Sequence, residues 1–217
     1  MKKTIFLCML LALSAGALFA QSCCVKNGSD WQVLAMSSDF KSSHLAPEPF
    51  TYENQRGSMI QFKTLDGQDG NAYYLPSDSP THKVLVIFHE WWGLNDYIKR
   101  EAARWQERLG NVDIYAIDLY DGAVASSPDS ASRLASNLDP KRAESIVRGA
   151  LSKIGRDMQI ATLGWCMGGA WSFTASVLAG NQAVGCVMFY GFPEKDDKRI
   201  AKLQTDVLYM GLERQVH

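Results

Sequence analysis

A glycine-rich hexapeptide around one cysteine is the segment of this chain best equipped for covalent chemistry. Its residues, Gly164-Trp165-Cys166-Met167-Gly168-Gly169, join an apolar run typical of a strand to a run typical of a helix. A sharp strand-to-helix turn forces its central residue into a strained backbone conformation, and small neighbours avoid the resulting clashes. The pattern predicts a nucleophile elbow with cysteine in place of the usual serine.

The place of Cys166 in such a turn suggests how its thiol would react. Unpaired N–H groups and the helix dipole at the start of the following helix favour a thiolate. The main-chain N–H of Met167 would face an oxyanion that forms on a bound carbonyl. We predict Cys166 as the nucleophile; the alternative is a buried cysteine at a glycine-rich turn. A nucleotide-binding turn is not indicated, because G-x-G-x-x-G is absent.

A second reactive segment, His89-Glu90-Trp91-Trp92-Gly93, follows the apolar run 84–88. Ligands of open α/β sheets bind beyond the carboxyl ends of the strands, so Glu90 is expected on the same edge as Cys166. Its carboxylate could accept the thiol proton or hold the thiol at rest. The Trp91 N–H is the second candidate oxyanion donor. A zinc helix is excluded because Gly93 replaces the second histidine of H-E-x-x-H. Alternatively, the tryptophans belong to the core and Glu90 is a solvated loop charge.

The elements that must position these segments alternate along the chain. Residues 58–63 and 71–75 are typical of a hairpin, and later apolar runs predict strands covered on both faces. Apolar residues at helical spacing follow the runs 84–88 and 112–117, and Asp139-Pro140 begins the second of these predicted helices. We predict one α/β domain over residues 57–217, with a mostly parallel central sheet and flanking helices. The predicted strands after the hairpin are 84–88, 112–117, 160–163, 183–189 and 207–210; the predicted helices contain 98–109, 140–154 and 170–179.

The first twenty residues have the pattern of a secretory signal peptide. Lys2 and Lys3 precede an apolar run, and Ala20 is a suitable last residue before cleavage. The run is short for a membrane-spanning anchor, which is the alternative. Residues 21–56 are polar and are predicted to be a tether, with Cys23 as a possible site of lipid attachment. We expect an exported protein, either periplasmic or secreted, without a later membrane span.

Composition narrows the range of partners and cofactors. The 217 residues carry 22 Lys and Arg against 23 Asp and Glu, so charge gives no reason to expect nucleic-acid binding. Five cysteines are too few for a disulfide scaffold. No spacing of metal-ligating residues appears, so neither a metal nor a cofactor is expected.

Together these segments resemble the dienelactone hydrolase family of α/β-hydrolases. The resemblance rests on the strand ending in His89-Glu90, on Asp118-Leu119-Tyr120 and on the cysteine elbow, and it covers about residues 58–211. It implies a Cys-His-Asp triad that opens an enol-lactone or a related ester. Cys166 is then the nucleophile and Glu90 the carboxylate that interacts with the thiol. Trp91 and Met167 are the oxyanion donors, and Trp92 and Tyr120 line the substrate pocket.

The sequence departs from the family at two places. The family's Asp should follow the strand 207–210 and its His should come later, but neither is identifiable there; Arg214 falls near the Asp position and His217 lies too close to the strand. We interpret this as an incomplete C-terminus that lacks the last strands and helix. Asp121-Gly122 stands where the family has an arginine for a substrate carboxylate. Two hypotheses follow: a cysteine hydrolase of a small ester or lactone, or an impaired fragment or non-catalytic small-molecule binder.

Overall fold

The computed structural model describes residues 30–54, 56–192 and 194–211, and within these ranges seven strands form one sheet. The strands are β1 (Ser58–Lys63), β2 (Asp69–Leu75), β3 (Lys83–Phe88), β4 (Asp113–Asp118), β5 (Gln159–Trp165), β6 (Ala183–Phe189) and β7 (Val207–Met210). Their spatial order is β1-β2-β4-β3-β5-β6-β7. The pairs β1–β2 and β2–β4 are antiparallel, and every other pair is parallel. The mostly parallel α/β sheet predicted from the sequence is therefore confirmed.

Helices occupy most of the connections between these strands. They are α1 (Asp30–Met36), α2 (Ser38–Ser43), α3 (Asp96–Leu109), α4 (Pro128–Asn137), α5 (Pro140–Ile154), α6 (Met167–Ala179) and α7 (Asp197–Ile200), with a 3₁₀ turn at Gly180–Gln182. The sequence prediction lacks α4, although Ser127 and Ser130 form a reciprocal cap at its start and Pro128 occupies its first turn.

The alternation of side chains along β3 divides the core into two layers. Val84, Val86 and Phe88 face the layer that contains α5 and α6, whereas Leu85 and Ile87 face the layer that contains α3. All five are buried, as expected for a strand covered on both faces. Because β3 lies between β4 and β5, the residues that follow it emerge at the centre of the sheet edge.

In the sequence of helix α3, apolar residues at spacings of four, three and four predict one buried face, and the structure differs from this prediction at one end. The residues are Ile98, Ala102, Trp105 and Leu109. The Asn95 side chain caps its start, and Gly110, with φ 78°, ends it. Ile98 and Ala102 are buried as predicted, but Leu109 is 54% exposed. Leu109 is the last residue of the helix. Gln106 is buried instead, and its amide donates to the main-chain carbonyls of Leu75 and Val112.

Part of the segment predicted to be a tether is helical and docked. Trp31 and Ala35, four residues apart in α1, are both buried and belong to the main core cluster, beside Ala131 and Ala135 of α4. Only these two apolar side chains of α1 are buried, and their spacing of four residues puts them on one helix face; Val33 and Met36 are exposed. The predicted signal peptide and Cys23 lie outside the described residues, as do Glu213, Arg214 and His217.

Strand β7 forms one edge of the sheet, and all four of its residues are exposed. No helix among the described residues has the length and apolar character needed to cross a membrane.

Candidate active site

The register of the parallel strands brings the two reactive segments together. Phe88, the last residue of β3, pairs with Ile117 of β4 on one side and with Gly164 of β5 on the other. Trp165 of β5 pairs in turn with Phe189 of β6. The segments that follow these strands therefore leave the same edge of the sheet side by side. They are the loop at 89–93, the turn at 119–122, the cysteine turn at 166 and the turn at 190–191.

Cys166 has the backbone conformation that the elbow prediction requires. It has φ 54° and ψ −122° and directly precedes α6. A positive φ is uncommon for a residue with a side chain and is a form of local strain. The strained turn is held by main-chain hydrogen bonds, from Cys166 N to Phe189 O at 2.9 Å and from Gly169 N to Cys166 O at 3.0 Å.

Two glycines allow α6 to approach the sheet this closely. A Cβ on Gly164 would lie 2.1 Å from the Gly168 carbonyl oxygen, and a Cβ on Gly168 would lie 2.4 Å from the His89 carbonyl oxygen. Both conflicts are with backbone atoms, which cannot rotate away. The hexapeptide composition therefore follows from steric need at the turn.

We expect Gly168→Ala to lower the free energy of unfolding by about 3 kcal/mol, because the added methyl group overlaps the main chain at residues 88 and 89. Gly185→Ala in β6 is the matched control, since a Cβ there meets nothing within 4 Å. Its stability should stay within about 1 kcal/mol of the wild type. Urea denaturation compares the three proteins, and equal midpoints for both variants would refute the steric account of the turn.

The Cys166 thiol is protonated at rest. Its pKa is raised to about 11, mainly by burial and in part by the nearby Glu90 charge, whereas the Met167 N–H acts in the opposite direction. The expectation that the helix N-terminus would favour a thiolate is therefore wrong for the resting site, because desolvation of the buried sulfur outweighs one backbone donor. Reaction at neutral pH needs a neighbouring base.

Glu90 has the properties of such a base. Burial raises the pKa of its carboxyl to about 7, and its Oε2 is buried without a hydrogen-bond partner in the described part of the chain. The alternative of a solvated loop charge does not fit this environment. A carboxyl with a pKa near neutrality can both take up and return a proton under physiological conditions.

His89 holds the Glu90 loop rather than offering a free imidazole. It is fully buried, its Nε2 accepts a hydrogen bond from Leu119 N at 3.1 Å, and its Nδ1 lies 2.6 Å from Glu90 O. The Nε2 acceptor role places the proton on Nδ1, which donates to the Glu90 carbonyl. Burial also lowers the pKa of His89 to about 4, so the ring is neutral. Both ring nitrogens are occupied, and His89 positions the main chain of Glu90.

The two predicted oxyanion donors belong to the segments that follow β5 and β3 at the same edge of the sheet. The Met167 N–H is the backbone donor that favours the Cys166 thiolate. Trp91 follows Glu90 directly, and its side chain is buried with ring contacts to Trp92, as the core alternative for the two tryptophans anticipated. Trp92 is likewise in the core cluster. The main-chain N–H of Trp91, rather than its ring, remains the predicted donor.

Tyr120 forms a wall between the site and a neighbouring cavity. Its hydroxyl donates to Met167 Sδ at 3.0 Å, and its ring centroid lies 4.8 Å from that of His89. Its other surroundings include a cavity of about 610 Å³ that Leu119, Val124 and Arg133 also line. Burial and the charges of Glu90 and Cys166 raise the pKa of Tyr120, so its hydroxyl stays protonated and can donate to Met167 Sδ.

Tyr190 also belongs to the site in the structure, although no sequence motif predicts it. Tyr190 follows β6 with φ 41° and is 46% exposed; partial desolvation together with the charges of Cys166 and Glu90 raises its pKa. The next residue, Gly191, allows the cysteine turn to pack closely against this segment, because a Cβ there would lie 2.7 Å from Cys166 O. The available signal was an aromatic residue and a glycine directly after a predicted strand, on the edge that carries Cys166.

The triad histidine and aspartate are not found in the part of the chain that the structure describes. Its imidazoles are His44, His82 and His89, and none of them is hydrogen-bonded to Cys166. The same ranges hold no group of three His, Cys, Asp or Glu side chains placed to bind a metal ion.

A strained cysteine between strand and helix, at the carboxyl edge of a mostly parallel sheet, defines the class of α/β-hydrolase folds. Residues 71–214 match the Dienelactone hydrolase family, and the chain belongs to that family.

Similar proteins agree with this assignment. A protein of Aquifex aeolicus (strain VF5), provisionally named a carboxymethylenebutenolidase, is 21% identical over 73% of this chain and 71% of its own length. Protein usf of Aquifex pyrophilus is 28% identical over 64% of this chain and 63% of its own length. The crystal structure of the dienelactone hydrolase-like promiscuous phosphotriesterase P91, from metagenomic libraries, has the same fold. It superposes with a TM-score of 0.58 at 21% identity, over 71% of this chain and 68% of that one.

Proposed function

We propose that this protein is an exported hydrolase of small esters or lactones, with Cys166 as a nucleophile that forms an acyl-enzyme. The observation that carries the proposal is the pairing of a strained, buried thiol with a buried carboxyl whose pKa is raised to about 7. The carboxyl is costly to bury, because its Oε2 has no hydrogen-bond partner among the described residues. The protonated Cys166 thiol has a proton to lose, and ionised Glu90 can accept it.

The chemistry begins with transfer of the thiol proton to ionised Glu90. The sulfur of Cys166 bonds to the substrate carbonyl carbon, and the carbonyl electron pair moves to oxygen. The resulting oxyanion accepts hydrogen bonds from the N–H groups of Met167 and Trp91. When the tetrahedral intermediate collapses, the C–O bond to the leaving group breaks and Glu90 returns its proton to the departing alkoxide. The product of this half-reaction is a thioester on Cys166 and a free alcohol.

Water must then attack the thioester to release the acid and restore the thiol. In the family this step uses the triad histidine, whose position after β7 lies outside the described residues. Glu90 can assist here as well, because it is ionised again once its proton has left with the alkoxide.

Hydrolysis of p-nitrophenyl acetate and of a small aliphatic lactone by the full chain at pH 8 tests the proposal. We expect multiple turnovers, with release of p-nitrophenol continuing after the first equivalent. One equivalent followed by arrest would support the acylation step and contradict the complete hydrolase. No release above the uncatalysed rate would contradict the proposed function.

Export makes a separate prediction. Mass spectrometry of the protein recovered from an expressing bacterial cell should give a mature chain that begins at Gln21, because cleavage follows Ala20. A diacylglycerol-bearing chain that begins at Cys23 would support lipid attachment instead. A chain in the cytosolic fraction that retains residues 1–20 would contradict export.

A further inference from the structure

The docked helices α1 and α2 make contacts that reach the candidate active site. Both helices precede the region that matches the family, which begins at residue 71. Their contacts with the rest of the chain are specific. The Gln32 amide donates to Ser136 O and Leu138 O, each at 3.3 Å, and Lys41 pairs with Asp129 at 3.0 Å. These bonds anchor the segment on α4.

The far end of this segment meets the loop that carries Glu90. The Phe40 ring stacks on His44 with centroids 3.9 Å apart, and the His44 ring is fixed by its Nδ1, 2.7 Å from Phe40 O. Both rings then approach Trp91 edge-on, Phe40 at 4.9 Å and His44 at 5.6 Å between centroids. Edge-to-face pairs of this kind stabilise a particular ring orientation as well as burying area.

The remaining supports of the loop come from inside the family region. His89 ties the start of the loop to Leu119, and Ala125 N donates to Trp92 O at 2.9 Å. Trp91 lies between these two anchors. Its ring contacts the Trp92 ring, with centroids 5.0 Å apart, and the Phe40–His44 pair. Trp91 carries both the packed ring and the predicted oxyanion donor, its main-chain N–H. Contacts that fix the ring therefore also restrict the orientation of this N–H.

We propose that the Phe40–His44 pair is a positioning element for the catalytic loop: by holding the Trp91 ring, it aligns the Trp91 N–H with the oxyanion. The inference rests on the proposed function. Phe40 and His44 do not touch the reacting atoms, and they act through Trp91. Residues 30–44 are therefore part of the working site, even though they lie outside the region that matches the family.

Phe40→Ala tests this inference in the full chain. Removing the ring leaves space beside Trp91, and a small shift of a donor or reacting group costs up to about a hundredfold in rate. For a partly supported loop we expect an acylation rate about tenfold lower with p-nitrophenyl acetate, with little change in KM. Phe40→Tyr should restore the rate. His44→Ala, at an exposed position that leaves the fold intact, should give a smaller loss in the same direction.

Phe50→Ala is the matched control. Phe50 is also half-buried and lies a few residues after α2, but it packs on Tyr97 and Arg100 of α3 and not on the loop. Its acylation rate should equal that of the wild type. Alkylation of Cys166 by iodoacetamide, which develops no oxyanion, separates alignment from loss of structure. A loosened site would expose the buried thiol and speed alkylation, whereas loss of alignment slows acylation without speeding alkylation.

The outcomes distinguish the two proposals. A wild-type chain that p-nitrophenyl acetate does not acylate would overturn the proposed function and this inference with it. A wild-type chain that is acylated at the same rate as Phe40→Ala would overturn this inference alone. Faster alkylation together with slower acylation in Phe40→Ala would also overturn it, because the ring would then be a structural support only.

Discussion

Replacing Cys166 by alanine is expected to abolish acylation by p-nitrophenyl acetate, with a loss of at least about a thousandfold in the rate of p-nitrophenol release. In the proposed mechanism the Cys166 sulfur bonds to the carbonyl carbon, and no other described nucleophile occupies the elbow turn. Binding and the oxyanion donors would remain, and they account for the small residual rate. Stopped-flow measurement of the burst compares the variant with the wild type.

Cys186→Ala provides the control for loss of a buried cysteine. Cys186 lies in β6, is 1% exposed and contacts the Ser172 hydroxyl in a polar cluster inside the core. Its removal should leave the burst unchanged and lower stability slightly. A Cys166→Ala variant that keeps a wild-type burst would show that another residue is acylated and would refute the assignment of the nucleophile.

The second large effect is expected for Glu90→Gln. The variant keeps the shape of the side chain but cannot accept the thiol proton, and a positioned base contributes roughly a hundredfold or more to such a step. The wild-type burst rate should rise with pH through a midpoint near 7, as Glu90 ionises. In the variant this rise should be absent, and the rate should increase only toward pH 11 with the ionisation of the thiol itself.

The same substitution should raise stability, in a pH-dependent way. Burial raises the folded-state pKa of Glu90 from 4.5 to about 7, so above pH 7 the folded protein holds a charge that the unfolded chain hydrates more favourably. Glu90→Gln removes that penalty, which is about 3 kcal/mol at pH 8. As pH falls from 7 to 4.5 the wild-type carboxyl becomes neutral in the folded state, and the advantage of the variant should disappear. Urea denaturation at pH 8 and pH 4.5 measures both differences.

Glu107→Gln is the matched control for a carboxylate, since Glu107 is exposed on α3. It should alter neither the burst nor the dependence of stability on pH. An E90Q protein with a wild-type pH profile of acylation would contradict the role of Glu90 as the base. Equal stability at pH 8 would contradict its buried charge.

The parts of the site that the sequence predicts are those fixed by local sterics. The glycines around Cys166 are required by the approach of α6 to the backbone of β3 and its following loop, so their spacing encodes the turn directly. The continuous apolar run of β3 likewise encodes a strand covered on both faces, and this places the loop of Glu90 beside the elbow. Because β3 and β5 are neighbours in the sheet, the Glu90 loop and the cysteine turn lie together without any further sequence motif.

The parts that the sequence does not predict depend on burial contributed by distant residues. The thiol pKa is set by how deeply the sulfur lies, which a motif does not encode, and the helix-terminus argument alone gave the wrong direction. Tyr190 carries no motif of its own. The helices α1 and α2 bury only two apolar side chains, Trp31 and Ala35, and they are stabilised by contacts with α4 and Trp91, which lie far away in the sequence.

Intact-mass analysis of the protein quenched in acid during its reaction with p-nitrophenyl acetate tests the central claim most directly. We predict one added acetyl group per chain, mapped by peptide sequencing to Cys166, absent from Cys166→Ala and removed by neutral hydroxylamine as expected of a thioester. No adduct, or an acetyl group mapped to any residue other than Cys166, would contradict a cysteine acyl-enzyme.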